Sequence, residues 1–183
     1  MGLYQAPEAD RAGVSAEMKF VLIDRILELD PPRRIVCCKG LTLAEEYLAD
    51  HFPTFPVMPG VLMVEAMVQS AGWLVRVSTD FASSLILLSE ARNVTYKSFV
   101  APGQVLRIEV QTRKIEPDGS EFDCRGTCGD RDMVKARVRL RHANLADENP
   151  ALASIDARLI DHARRQFGLL GGTGVPAPAA TDD

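Results

Sequence analysis

His51 and Glu65 stand fourteen residues apart, on either side of an abrupt change in composition. The stretch HFPTFPVMPG places Pro53, Pro56 and Pro59 directly after the histidine. Such a segment can be neither helix interior nor central strand, so it reads as a stiff loop. From Gly60 the chain becomes almost unbrokenly apolar, and Glu65 is the one acid within that run. An imidazole can move protons near neutral pH. A carboxyl group set in an apolar wall suits acid work or the orientation of a water. The start of a long helix adds unpaired N–H groups and the positive end of the helix dipole, which suit a developing oxyanion. Pro59 has no N–H to give, which leaves Gly60 and Val61 as donors, and Gly60 lacks a Cβ that would hold a ligand off. Gln69, one turn beyond Glu65 on the same helical face, is placed to orient its carboxyl group. A lone loop histidine is usually satisfied by backbone, and a lone acid usually escapes to solvent. It is their combination with the loop and the helix start that points to chemistry.

These residues need elements to hold them. The run from Gly60 to Val77 is apolar around nearly its whole circumference, which predicts a helix buried on all sides. It is interrupted by Glu65, Gln69, Ser70 and Arg76, whereas a membrane span needs about 20 nearly uncharged residues, so a buried core helix is expected and no membrane span. Its wrapper follows in sequence. SLILLSEARNVTYKSFV, QVLRIEVQTRKIE, SEFDCRGTCGD and DMVKARVRLRHA read as four strands separated by APG, PDG and GDR turns. Leu106, Ile108 and Val110 alternate with Arg107, Glu109 and Gln111, and Val134, Ala136, Val138 and Leu140 alternate with Lys135, Arg137, Arg139 and Arg141. Such alternation marks half-buried antiparallel strands. Upstream, DRILELD and RIVCCKGLTL form a hairpin about PPRR, and AEEYLADHF is expected as a short helix. The sum is an α+β architecture, a sheet of about six strands curled around one long helix. A C-terminal helix is expected from Asn149 as N-cap and Pro150 at its first position, with Leu152, Ile155, Leu159, Ala163 and Phe167 on one stripe.

At 183 residues, one domain is the default. We expect a flexible lead-in over 1–16, the main domain over 17–143, the helical extension over 144–168 and a disordered tail over 169–183. A net charge of −4 gives no general case for nucleic-acid binding. The first residues lack an apolar core, so no secretory signal is expected. Of the four cysteines, Cys37 and Cys38 are adjacent and Cys124 and Cys128 lie four apart on a strand, spacings that suit neither a disulfide nor zinc and imply thiols in a reducing cytoplasm.

The stretch DHFPTFPVMPGVLMVEAMVQSAG resembles the signature GHFPxxPVMPGVLxxEAxAQ of the FabZ-type β-hydroxyacyl-(acyl carrier protein) dehydratases. FVLIDRILELD resembles that family's PFLLIDRV entry strand, and EARNVTYKSFVAPGQ its EARFKRPVVPGD segment, so the likeness runs from about Lys19 to His142. The resemblance implies the hot-dog fold, which agrees with the helix and sheet read from patterning. It also implies a homodimer or trimer of dimers with the active site between subunits. His51 would then be the catalytic histidine of one chain and Glu65 the helix acid of the other, with Gly60 the oxyanion donor. The implied reaction converts a (3R)-3-hydroxyacyl group on acyl carrier protein to the trans-2-enoyl product in fatty-acid or related lipid synthesis. No metal or redox cofactor is implied, since the phosphopantetheine arrives with the substrate. The alternatives are a hot-dog protein that binds an acyl thioester without processing it, a dehydratase of a specialised polyketide-like pathway, or a thioesterase. Two positions depart from the family pattern. Asp50 stands where a glycine usually precedes the histidine, and Phe99 replaces a proline before the turn at Pro102. The basic stripe on the last strand is expected as a solvated face that could also receive an acidic carrier protein.

Overall fold

A computed structural model describes residues 20–173. The lead-in over 1–16 and most of the 169–183 tail therefore lie outside the described residues. Strands β1 (Arg25–Asp30) and β2 (Arg34–Gly40) form the expected hairpin about Pro31–Arg33. Helix α1 (Gly60–Ser78) follows, then β3 (Leu85–Tyr96), β4 (Val105–Ile115), β5 (Gly119–Cys128), β6 (Arg131–Ala143) and helix α2 (Ala153–Leu169). The six strands make one antiparallel sheet in the order β1-β2-β4-β5-β6-β3. This is the hot-dog arrangement.

The periodicities behave as their chemistry requires. Leu106, Ile108 and Val110 of β4, and Val134, Ala136, Val138 and Leu140 of β6, are buried against α1. Alternation sends the charged partners to the opposite face. There the basic stripe meets acids. Lys135 pairs with Asp132 at 3.0 Å, Arg137 with Asp123 at 3.0 Å and Arg139 with Glu121 at 3.7 Å. The stripe is thus a largely self-neutralised surface rather than a bare cationic one. Helix α1 is apolar and long enough to cross a membrane by length and composition, but here Met63, Ala66, Met67, Leu74 and Val75 are packed into the core that the sheet encloses.

One contact sets how closely helix and sheet approach. A Cβ on Gly126 of β5 would stand 2.8 Å from Val134 Cγ1, 3.1 Å from Leu106 Cδ1 and 3.6 Å from Met67 Cε. Gly126→Ala therefore overpacks the core, and we expect a loss of about 1–3 kcal/mol in chemical denaturation. An unchanged midpoint would show that the layers can part freely.

Two local expectations shift. AEEYLADHF yields only a single 3-10 turn at Glu46–Leu48. His51 N–H still donates to Tyr47 O at 3.1 Å, but Pro53 has no N–H and the carbonyl of His51 is taken by Val57 N–H, so no helix can propagate. Asn149 does cap, its Oδ1 accepting from Ala151 N–H at 3.1 Å, but what it caps is a 3-10 turn at Pro150–Leu152, and α2 begins only at Ala153.

Candidate active site

The proline loop is a closed ring. Val57 N–H donates to His51 O at 3.1 Å, and His51 Nδ1 lies 3.0 Å from Val57 O. A carbonyl only accepts, so Nδ1 carries a proton, and in the neutral ring the lone pair is on Nε2. The Phe52 ring stacks on the imidazole at 4.1 Å and limits its rotation. Met58 N–H donates to Val100 O at 2.9 Å, tying the loop end to the β3–β4 connection. The fixed tautomer could not be read from the sequence, because it depends on a contact six residues ahead.

Asp50 is solvent-exposed, and its φ is not among the positive ones, so aspartate replaces the usual glycine without backbone strain. Its carboxylate makes no hydrogen bond or ion pair among the described residues. Phe99 is 62% exposed and meets Phe55 edge-on at 5.8 Å.

At the start of α1, Leu62 N–H and Met63 N–H both reach Pro59 O. Gly60 N–H and Val61 N–H have no partner among the described residues, as the first turn of a helix requires. Gly60 also leaves room for a neighbour, since a Cβ there would lie 2.8 Å from Tyr96 Cε1 on β3 and would have to displace that half-exposed ring.

One turn further, Gln69 does more than orient Glu65. Its Nε2 donates to Glu65 Oε1 and to Phe20 O, each at 3.0 Å, while its Oε1 accepts from Leu22 N–H at 2.9 Å. The glutamine thus pins the entry segment to α1 and fixes the carboxyl group of Glu65 in one step. Glu65 is half-buried and opens on a cavity of about 220 Å³. His51 does not line this cavity. Within one chain, then, the two candidate groups do not share this cavity.

The far wall of the cavity belongs to α2. Leu159, His162 and Gln166 face Glu65, Gln69 and Trp73 across it. The helix is held there by Phe167, whose ring lies 6.0 Å from both Trp73 and Phe81, and by Asp156 in its first turn. Although burial acts to raise it, the Asp156 carboxyl is held below the usual carboxylate range by the Ser84 hydroxyl and the N–H groups of Leu145 and Ala146. The sequence signal for Asp156 was an acid four residues after Leu152 and three before Leu159, on the apolar stripe itself. His162, seven residues after Ile155 and three after Leu159, sits by the same spacing beside that stripe. Phe167→Ala should cost about 3–5 kcal/mol, read in thermal or denaturant unfolding. A negligible change would mean that α2 is not docked in solution.

The thiols have no part in the site. Burial pushes the Cys37 thiol up to about 12 and raises Cys124 further still, so neither is a nucleophile near neutral pH. The edge strand β3 is different in kind. It is twelve residues long with one side unpaired in the sheet, and it exposes Leu87, Leu88 and Tyr96.

The FabA-like domain family matches residues 14–137. The chain is 38% identical over 146 residues to a 3-hydroxyacyl-(acyl-carrier-protein) dehydratase FabZ of Solibacter usitatus, covering 79% of this chain and 90% of that protein. A FabZ of Lactiplantibacillus plantarum is 36% identical over 112 residues, 61% of this chain and 76% of its own. Among solved structures, the dehydratase heterocomplex ApeI:P from Xenorhabdus doucetiae aligns with a TM-score of 0.60 at 20% identity, covering 72% of this chain and 89% of that one. At that identity the likeness speaks for the fold alone. Helix α2 lies beyond the residues that the family matches.

Proposed function

The chain belongs to the FabA-like family, and from that premise we propose that it dehydrates (3R)-3-hydroxyacyl groups on acyl carrier protein to trans-2-enoyl groups in fatty-acid biosynthesis. The observation that carries this reading is the His51 imidazole, held through Nδ1 by Val57 O with Nε2 left open to act as a base. Nε2 removes a proton from the carbon next to the thioester, and the electrons move onto the thioester oxygen. The N–H groups of Gly60 and Val61 stabilise that oxygen. As the electrons return to form the carbon–carbon double bond, the hydroxyl at C3 leaves with a proton from Glu65, as water. Gln69 keeps the carboxyl group aimed while this happens.

The site is completed by a second chain, so that His51 of one protomer serves the cavity containing Glu65 of the other. The separation of the two groups within one chain supports this, as do the unpaired β3 edge and the exposure of Val61 at 68% beside the helix start. Two β3 edges pairing antiparallel would give a homodimer with a continuous sheet, and three such dimers a hexamer. The catalytic unit is the 17–143 segment, with 144–168 as an accessory helix, and the setting is the cytoplasm.

The test is turnover of a 3-hydroxyacyl-carrier substrate, followed by the conjugated enoyl absorbance. Binding without turnover would favour a non-catalytic acyl-thioester protein, and release of free thiol a thioesterase. Either result would overturn the dehydratase reading.

A further inference from the structure

The cavity runs along one stripe of α1, past Glu65, Val68, Gln69, Gly72, Trp73 and finally Arg76. Glu65 and Arg76 are eleven residues apart, three helical turns, so they bracket roughly 16 Å of groove at ~1.5 Å per residue. The Glu65 end is accounted for by the reaction. The Arg76 end is not.

Arg76 is an arginine in a largely apolar wall, with no acid to meet it among the described residues. Among the described residues its guanidinium forms no ion pair and one hydrogen bond, from Nη2 to Ser84 O at 3.3 Å. The guanidinium lies 5.5 Å from the Trp73 ring centroid and sits in the last turn of α1, where the helix dipole favours a cation. These contacts hold the charge but leave most of its five N–H donors unused. Burial lowers its pKa with nothing opposing the shift. Asp156 makes no ion pair with it; that carboxylate accepts instead from Ser84, Leu145 and Ala146. On the opposite wall, His162 and Gln166 add further polar groups to the same cavity. An alkane-only binding groove has no use for this set, because a guanidinium left partly unpaired in an apolar wall is costly. A planar fork of donors at the end of a groove is the natural receptor for a carboxylate.

We propose that Arg76 is a specificity-determining residue that selects acyl groups whose distal end carries a carboxylate, with α2 as the wall that confines that end. The proposal rests on the acyl-thioester reading of the cavity. It places the substrate as the half-thioester of a dicarboxylic acid, with the reacting carbons near Glu65 and the free carboxylate on Arg76.

The experiment uses matched pairs of pantetheine thioesters of several chain lengths, one member ending in methyl and the other in carboxylate. Saturated members, which cannot react, are titrated by calorimetry; 3-hydroxy members are assayed for turnover. Wild-type protein should bind the carboxylate member of the best-fitting pair at least tenfold more tightly, at least 1.4 kcal/mol. Arg76→Met should erase that ratio while binding the methyl member at least as well. Arg76→Lys keeps the charge but not the fork, and should retain only part of the preference. Equal or tighter binding of the methyl member by the wild-type protein overturns the proposal, whatever the variants do. So does an Arg76→Met that loses both members equally while remaining folded. A carboxylate preference without turnover of either member would remove dehydration and leave this proposal standing. Turnover without the preference would do the reverse.

Discussion

His51→Ala lowers kcat for dehydration by roughly a thousand-fold, while the protein remains folded and of unchanged oligomeric size. The magnitude follows from the role, since a positioned general base contributes about 10²–10⁴ in rate. The stability change should be small because the ring of contacts is mostly backbone. Val57 N–H still reaches His51 O in the variant, and only the Nδ1 contact and the Phe52 stack are lost. A half-exposed hydrogen bond of this kind contributes about 1 kcal/mol. Enoyl absorbance and a thermal melt on the same preparation separate the two effects. If kcat falls less than tenfold, His51 is a loop histidine satisfied by Val57, and the base must be sought elsewhere.

The fold was legible because each element carries its own period. The alternation in β4 and β6 and the apolar character of α1 are local signals. Burial follows the alternation residue by residue, and in α1 it holds from Met63 to Val75 but for Glu65 and Gln69, while Val61 at the helix start is exposed. Less visible was what depends on contacts far apart in the chain. The tautomer of His51 is set by a backbone carbonyl, which every residue type possesses. The double duty of Gln69 requires Phe20 and Leu22 to cross the helix, and no spacing rule places them there. AEEYLADHF stops at a 3-10 turn because Leu48 and Ala49 N–H bond three residues back and the loop takes Phe52 N–H onto Phe55 O. The cavity wall was hidden for a related reason. Of its stripe, Ile155, Leu159, Ala163 and Phe167 lie on α2 and Leu152 on the turn before it, but a stripe says only that a helix docks, not that it docks over Glu65. Asp156 and Arg76 were both visible as charges on apolar faces. The reasoning that singled out Glu65 applied equally to them.

Glu65→Gln should lower kcat by about 10²–10³ with little change in KM or stability. The amide is nearly isosteric, and its oxygen can still accept from Gln69 Nε2, so geometry survives and the transferable proton does not. Mixing this variant with His51→Ala then tests where the two residues act. If both came from one chain, every site in any mixture would lack one of them, and activity would stay at the level of the inactive parents. If each site takes His51 from one protomer and Glu65 from its partner, a mixed dimer has one doubly impaired site and one intact site. Random reassociation of equal amounts makes about half the dimers mixed, so about a quarter of wild-type activity should return, and independent dimers within a hexamer give the same fraction. Recovery must follow subunit exchange, so it should appear after dissociation and refolding, or on co-expression, and not on brief mixing. No recovery after verified exchange would place both groups in the same chain. The cavity lined by Glu65 would then have to close onto the proline loop through a rearrangement of this fold, not through a second copy of it.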